Sequence, residues 1–134
     1  LNLKDNIANY FDSDEMLSAP GQGAIAIESR KNDKINQLLS NLNHEETSLC
    51  IKQERSFLKY LEGGCTAPIG AYAKIKNEKL ILKGIVSTFD GKTSIFNKIS
   101  SNVNSSSDLG IKLAQLILNN GGKKVLSIIR KHEK

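Results

Sequence analysis

An α+β fold, with a three-stranded antiparallel sheet and helices packed on one of its faces, is predicted for most of this chain. Three observations predict it. Apolar residues recur at helical spacing up to residue 61, the period falls to two between residues 71 and 99, and helical spacing returns from residue 109. Two turn signals, Asn77-Glu78 and Asp90-Gly91, divide the period-two stretch into three hairpin-linked strands, which pair antiparallel. A chain of 134 residues with 39% hydrophobic content can bury one compact core, with a fragment of a second unit attached.

In chain order, Leu1, Leu3, Ile7 and Phe11 predict the tail of an amphipathic helix. Residues 12–20 are polar and acidic and end in Pro20, as expected of a loop or crossing segment. Residues 24–27 form a short apolar run bounded by glycine and charge, the pattern of a buried strand. Ile35, Leu38, Leu39 and Leu42 mark a helix over residues 32–43. A second helix over residues 45–61 turns Leu49, Phe57, Leu58 and Leu61 inward, with His44 at its start as a capping or surface histidine rather than a ligand or a base. The strands follow over residues 71–75, 80–89 and 93–99. A serine- and asparagine-rich loop over residues 100–108 supplies an N-cap at Ser107. Leu109, Leu113, Leu116 and Ile117 then make a helix stopped by Asn120-Gly121-Gly122. Val125, Leu126, Ile128 and Ile129 make a last short helix with a basic end that complements its dipole. The unit from about residue 47 onward is self-contained, whereas one helix tail, one strand and one helix before it cannot close a core.

Charge and composition exclude several classes. The net charge of +5 comes from scattered lysines without an aromatic-interleaved basic run, so no nucleic-acid partner is expected. No apolar run approaches the roughly 18 residues of a membrane span, and no charged-then-apolar leader is visible at the start. Cys50, on the second helix, and Cys65, beyond its end, have a poor geometry for a disulfide, which favours a reducing compartment. Two cysteines and two histidines without ligand spacing predict no metal site.

The stretch from Leu61 to Gly70 concentrates unusual chemistry. Gly63 and Gly64 let a bulky group approach the main chain, Pro68 keeps Ala67 out of helical conformation, and Cys65 sits between them. Two readings stay open on these residues alone: a helix C-cap followed by a small buried cysteine, or a thiol displayed on a shaped loop.

The run LEGGCTAPIGAYA, residues 61–73, closely resembles the cofactor-attachment loop of the porphobilinogen deaminase (hydroxymethylbilane synthase) family. Three further stretches agree in the same order: Pro20-Gly21-Gln22-Gly23-Ala24 leading to Ile27-Glu28-Ser29-Arg30, then Leu42-Asn43-His44-Glu45-Glu46-Thr47, then Glu54-Arg55. The resemblance implies a C-terminal portion of such an enzyme. Residues 1–19 would end its second α/β domain. Residues 20–46 would be the crossing segment, strand and helix of the first, and residues 47–134 the cofactor-anchoring α+β domain.

The family's enzymes condense four porphobilinogen molecules, with loss of ammonia, into linear hydroxymethylbilane for haem and related tetrapyrroles. On this resemblance Cys65 holds a dipyrromethane cofactor through a thioether. Loss of ammonia from porphobilinogen leaves a soft, electron-poor methylene carbon, for which a thiolate is a suitable nucleophile. Gly64 would make room for a pyrrole ring. Gln22 would donate its amide to a cofactor carboxylate, unless its glycines merely permit the crossover. Arg30 and Arg55 are either partners of the cofactor's acidic groups or structural ion-pair residues. The family's catalytic aspartate belongs to the N-terminal domain, so no catalytic residue is assigned here and the chain alone is expected to be inactive. The implied partners are porphobilinogen, the growing polypyrrole and the N-terminal domains, in a monomer without a membrane partner. The expected location is cytoplasmic, or a plastid-type organelle after loss of a transit peptide. The competing readings are a non-catalytic binding module with the same fold and a thiol-redox protein, the latter opposed by the lack of a Cys-x-x-Cys.

Overall fold

The computed structural model describes residues 3–62 and 67–132. Its sheet has strands β1 (Ile69–Lys76), β2 (Lys79–Ser87) and β3 (Ser94–Asn102) in the order β1-β2-β3, all antiparallel. Four α-helices accompany it: α1 (Ile35–Leu39), α2 (Glu45–Tyr60), α3 (Leu109–Ile117) and α4 (Lys123–His132). The β1–β2 hairpin is closed by Asn77 and Glu78, both at positive φ (50° and 60°), as a two-residue turn matched to strand twist requires. The β2–β3 turn has Gly91 at φ 69°, and Asp90 accepts hydrogen bonds from Thr88 Oγ1 and the Lys92 N–H.

Register assigns each face. Ala71 pairs with Gly84 and Gly84 with Asn97, so Ile69, Ala71, Ala73, Leu80, Leu82, Val86, Ile95 and Ile99 share the face under α2 and α3. Phe57, Leu61, Leu113, Ile117, Val125 and Ile129 complete the core. Two glycines permit the layers to meet. A β-carbon on Gly84 would lie 2.7 Å from the Phe57 ring and 2.9 Å from Leu113. One on Gly110 would collide with the Gln53 carbonyl of α2. At that helix crossing the Gly110 N–H donates to Gln53 Oε1 at 3.0 Å. The break between α3 and α4 falls at Gly121, whose φ of 109° is closed to most other residues.

His44 caps α2: its Nδ1 accepts the Thr47 N–H at 3.3 Å, while Glu45 and Glu46 complement the helix dipole in the first turn. Four sequence expectations need correction. Residues 24–27 form no strand, with Ile25 96% exposed, because no strand among the described residues lies beside them. Residues 3–11 hold only a 3-10 turn, Lys4–Asn6, since a short helix without a surface to bury its apolar side is marginal. The helix over residues 32–43 contracts to α1 and a 3-10 turn, Ser40–Leu42, for the same reason. Ser107 does not cap α3. Asp108 stands at that position without a side-chain bond, and the neighbouring Ser106 hydroxyl turns back to the Val103 carbonyl at 2.6 Å.

Candidate functional site

Two segments carry the candidate residues, and different parts of α2 position them. The first leaves the C-terminus of α2. Leu61 is buried, and Glu62 adopts a left-handed backbone (φ 53°) that ends the helix. Arg130 of α4 secures this end, its Nη2 donating to Glu62 Oε2 at 3.0 Å and to the Leu61 carbonyl at 3.4 Å. Further along the chain, the Pro68 carbonyl accepts the Ser87 N–H at 3.0 Å, tying it to the end of β2. Gly63, Gly64, Cys65 and Thr66 lie outside the described residues.

The second segment is the crossing turn. The Gln22 N–H returns to the Ala19 carbonyl at 3.0 Å, with Gly21 and Gly23 at φ 81° and 83°. Gln22 is exposed and lines a cavity of about 360 Å³ with His44, Cys50, Glu54, Tyr72 and Lys74 among its neighbours. That lining belongs to the first two-thirds of α2 and the later part of β1 and includes neither Glu62 nor Pro68. Arg30 and Arg55 are exposed and form no ion pair among the described residues.

The two cysteines have different surroundings. Cys50 is a free thiol, 7% exposed, on the core stripe of α2. Desolvation, helped by the nearby charges of Glu54 and Glu46, pushes its pKa up, so it stays protonated and a weak nucleophile. Sequence reading missed Glu54 and Lys83. Glu54 is buried, accepting the Gly21 and Ala73 N–H groups, each at 2.7 Å. Burial raises its pKa, against the lowering effect of those two bonds. Lys83 is buried on the opposite face of the sheet, its Nζ reaching Asp14 Oδ1 at 2.6 Å and Ser13 Oγ at 2.9 Å. The available signal was a charged residue on an apolar stripe: Glu54 follows Cys50 by one helical turn and precedes Phe57 and Leu61.

Residues 48–119, more than half of the chain, match the family model described as porphobilinogen deaminase, C-terminal domain. The chain belongs to the porphobilinogen deaminase family. Residues 1–37, which include Gln22, match the model described as porphobilinogen deaminase, dipyromethane cofactor binding domain. Proteins named porphobilinogen deaminase from Desulforamulus reducens and Chlorobium limicola are 42% and 43% identical to it, over 97% and 98% of this chain. A third, from Carboxydothermus hydrogenoformans, is 41% identical over 98%. The chain spans only 42% to 44% of the length of these relatives. Among the described residues, no cluster of three or more histidine, cysteine or acidic side chains suits a metal ion, and no helix is long and apolar enough to cross a membrane.

Proposed function

We propose that this chain is the cofactor-anchoring C-terminal part of a hydroxymethylbilane synthase, a transferase that joins four porphobilinogen molecules and releases ammonia. Residues 1–19 and 20–46 are assigned to the ends of two preceding α/β domains, and residues 47–134 to the anchoring domain. Cys65 holds dipyrromethane through a thioether, Gly64 leaves room beside it, and the Gln22 amide donates to one of its carboxylates. When bound, that group supplies the primer to which substrate pyrroles are added. The whole enzyme is assigned as a cytoplasmic monomer.

The observation that carries this reading is the order of the two family matches, one holding Gln22 and the other Cys65, on a single chain. The fit of the residues supports it. Of the two thiols, Cys50 is disqualified as an anchor by burial and a raised pKa. Leu61 on one side of Cys65 is buried in the core and the Pro68 carbonyl on the other accepts the Ser87 N–H, so the chain to either side is tied to the domain.

The test uses the full-length protein. Cys65→Ser should remove the covalent adduct, seen as an intact mass lower by two pyrrole units and no colour with an acidic aldehyde reagent, while circular dichroism stays native. A serine hydroxyl stays protonated near neutral pH and is a far poorer nucleophile toward a soft carbon. Cys50→Ser should keep the adduct and lose only packing. A loaded Cys65→Ser protein, or loss of the adduct in Cys50→Ser alone, would overturn the assignment.

A further inference from the structure

One buried carboxylate joins three parts of the molecule. Glu54 is 4% exposed and stands on the core face of α2 beside Cys50 and Phe57. Its Oε1 accepts the Ala73 N–H of β1 and its Oε2 the Gly21 N–H of the crossing turn. As β1 is an edge strand, every second N–H on its outer side lacks a ladder partner and must find another acceptor. Ala71 finds the Ser18 carbonyl at 3.0 Å, and Ala73 finds Glu54. The crossing segment is therefore held to this edge at two successive points, directly at Ser18 and through a side chain at Gly21. Lys83 adds a third hold at Ser13 and Asp14, on the other face of the sheet.

The hold at Gly21 is the last before Gln22. Where a β-carbon would sit on Gly23 there is open space to 4 Å, so packing does not fix the turn from that side. A β-carbon on Gly21 would meet only Ile51 of α2, at 4.0 Å. We propose that Glu54 is the positioning residue of the Gly21-Gln22-Gly23 turn: its carboxylate sets the turn against β1 and so decides where the Gln22 amide is presented. The consequence for activity rests on the cofactor-binding role given to Gln22 above; the positioning itself does not.

Hydrogen exchange by mass spectrometry on the full-length protein tests it. In Glu54→Gln the amide group can accept only one of the two N–H groups, because its nitrogen is a donor. Exchange at whichever of Gly21 and Ala73 loses its acceptor should quicken on the order of 10- to 100-fold, the worth of a hydrogen bond to a charged group, while β2 and β3 keep wild-type protection. Glu54→Asp keeps the charge but is one methylene shorter; it should show the same local loss, and it stands in if the amide variant does not fold. Turnover of porphobilinogen should fall with the Cys65 adduct retained. On a Gln22→Ala background, Glu54→Gln should lower turnover by less than a further twofold, since both act through one side chain. Unchanged exchange at Gly21 in both Glu54 variants, or equal loss of protection across the sheet, would overturn the proposal. A wild-type protein without adduct or turnover would sink the enzyme reading instead, and the exchange rates would still decide the role of Glu54.

Discussion

Asp14 and Glu54 both fasten the crossing segment, yet their surroundings move the two carboxyl groups in opposite directions. The hydrogen bond from Lys83 holds Asp14 below its ordinary value of 3.8 against the opposing effect of desolvation, with the charges of Lys83, Lys98 and Lys74 assisting. A lowered pKa means that the stability this contact contributes is present above pH 3.8 and is lost as pH falls through the folded value. Glu54 is the reverse case. Desolvation carries it above 4.5, so its contribution is complete below pH 4.5 and declines as pH rises through the raised value. The groups around it are Cys50 one turn earlier on α2, His44 and Glu46 at the helix start, and Tyr72 and Lys74 of β1. Urea denaturation midpoints across pH should show Asp14→Asn flattening the profile only on the acid side and Glu54→Gln only above pH 4.5. An Asp14→Asn profile whose offset from wild type goes on changing above pH 4.5 would contradict this division.

At the scale of elements, the α2–α3 crossing decides how the helical layer sits on the sheet. Glycine within a helix costs about 1 kcal/mol relative to alanine, so Gly110→Ala would stabilise an isolated α3 by roughly that amount. Here the added methyl meets the Gln53 carbonyl and comes within 2.8 Å of the Phe57 nitrogen, backbone atoms that cannot swing aside. Overpacking of this kind costs about 1–3 kcal/mol, so the net effect should be destabilising, with a lower thermal midpoint for the variant. An unchanged or raised midpoint would show that the helices separate without cost. Elements such as these were largely legible in the sequence. The period-two runs, the Asn77-Glu78 turn and the stripe of Leu109, Leu113 and Ile117 reappear as β1–β3, a positive-φ hairpin and the buried face of α3. Elements misread from sequence share one cause. The apolar runs at residues 24–27 and 32–43 have the right period, but period reports a face to be buried and not whether a partner is present to bury it. Glu54 was legible only as a charge on an apolar stripe: its partners are backbone N–H groups at Gly21 and Ala73, which no side-chain pattern announces.

On the scale of the whole molecule, the packed core begins late in the chain. The buried residues start at Cys50, and none of residues 3–46 is buried. Ile25, Leu38 and Leu42 are 96%, 66% and 68% exposed, a set of side chains suited to covering by other parts of a longer protein. Within that stretch, the bonds at Asp14, Ser18 and Gly21 bind residues 13–21 to the sheet, while residues 22–43 have no comparable hold in long-range backbone bonding among the described residues. Proteolysis requires a segment of some ten residues to leave the surface and enter the protease, so susceptibility follows local fastening and not mere exposure. Brief digestion of the 134-residue chain should therefore cut first between residues 22 and 43. It should leave a resistant product that begins by about residue 47 and extends through α4. Mass spectrometry of the fragments reads both ends. First cuts inside β1, β2 or β3 would mean that the domain from residue 47 onward does not hold together without the rest of the protein.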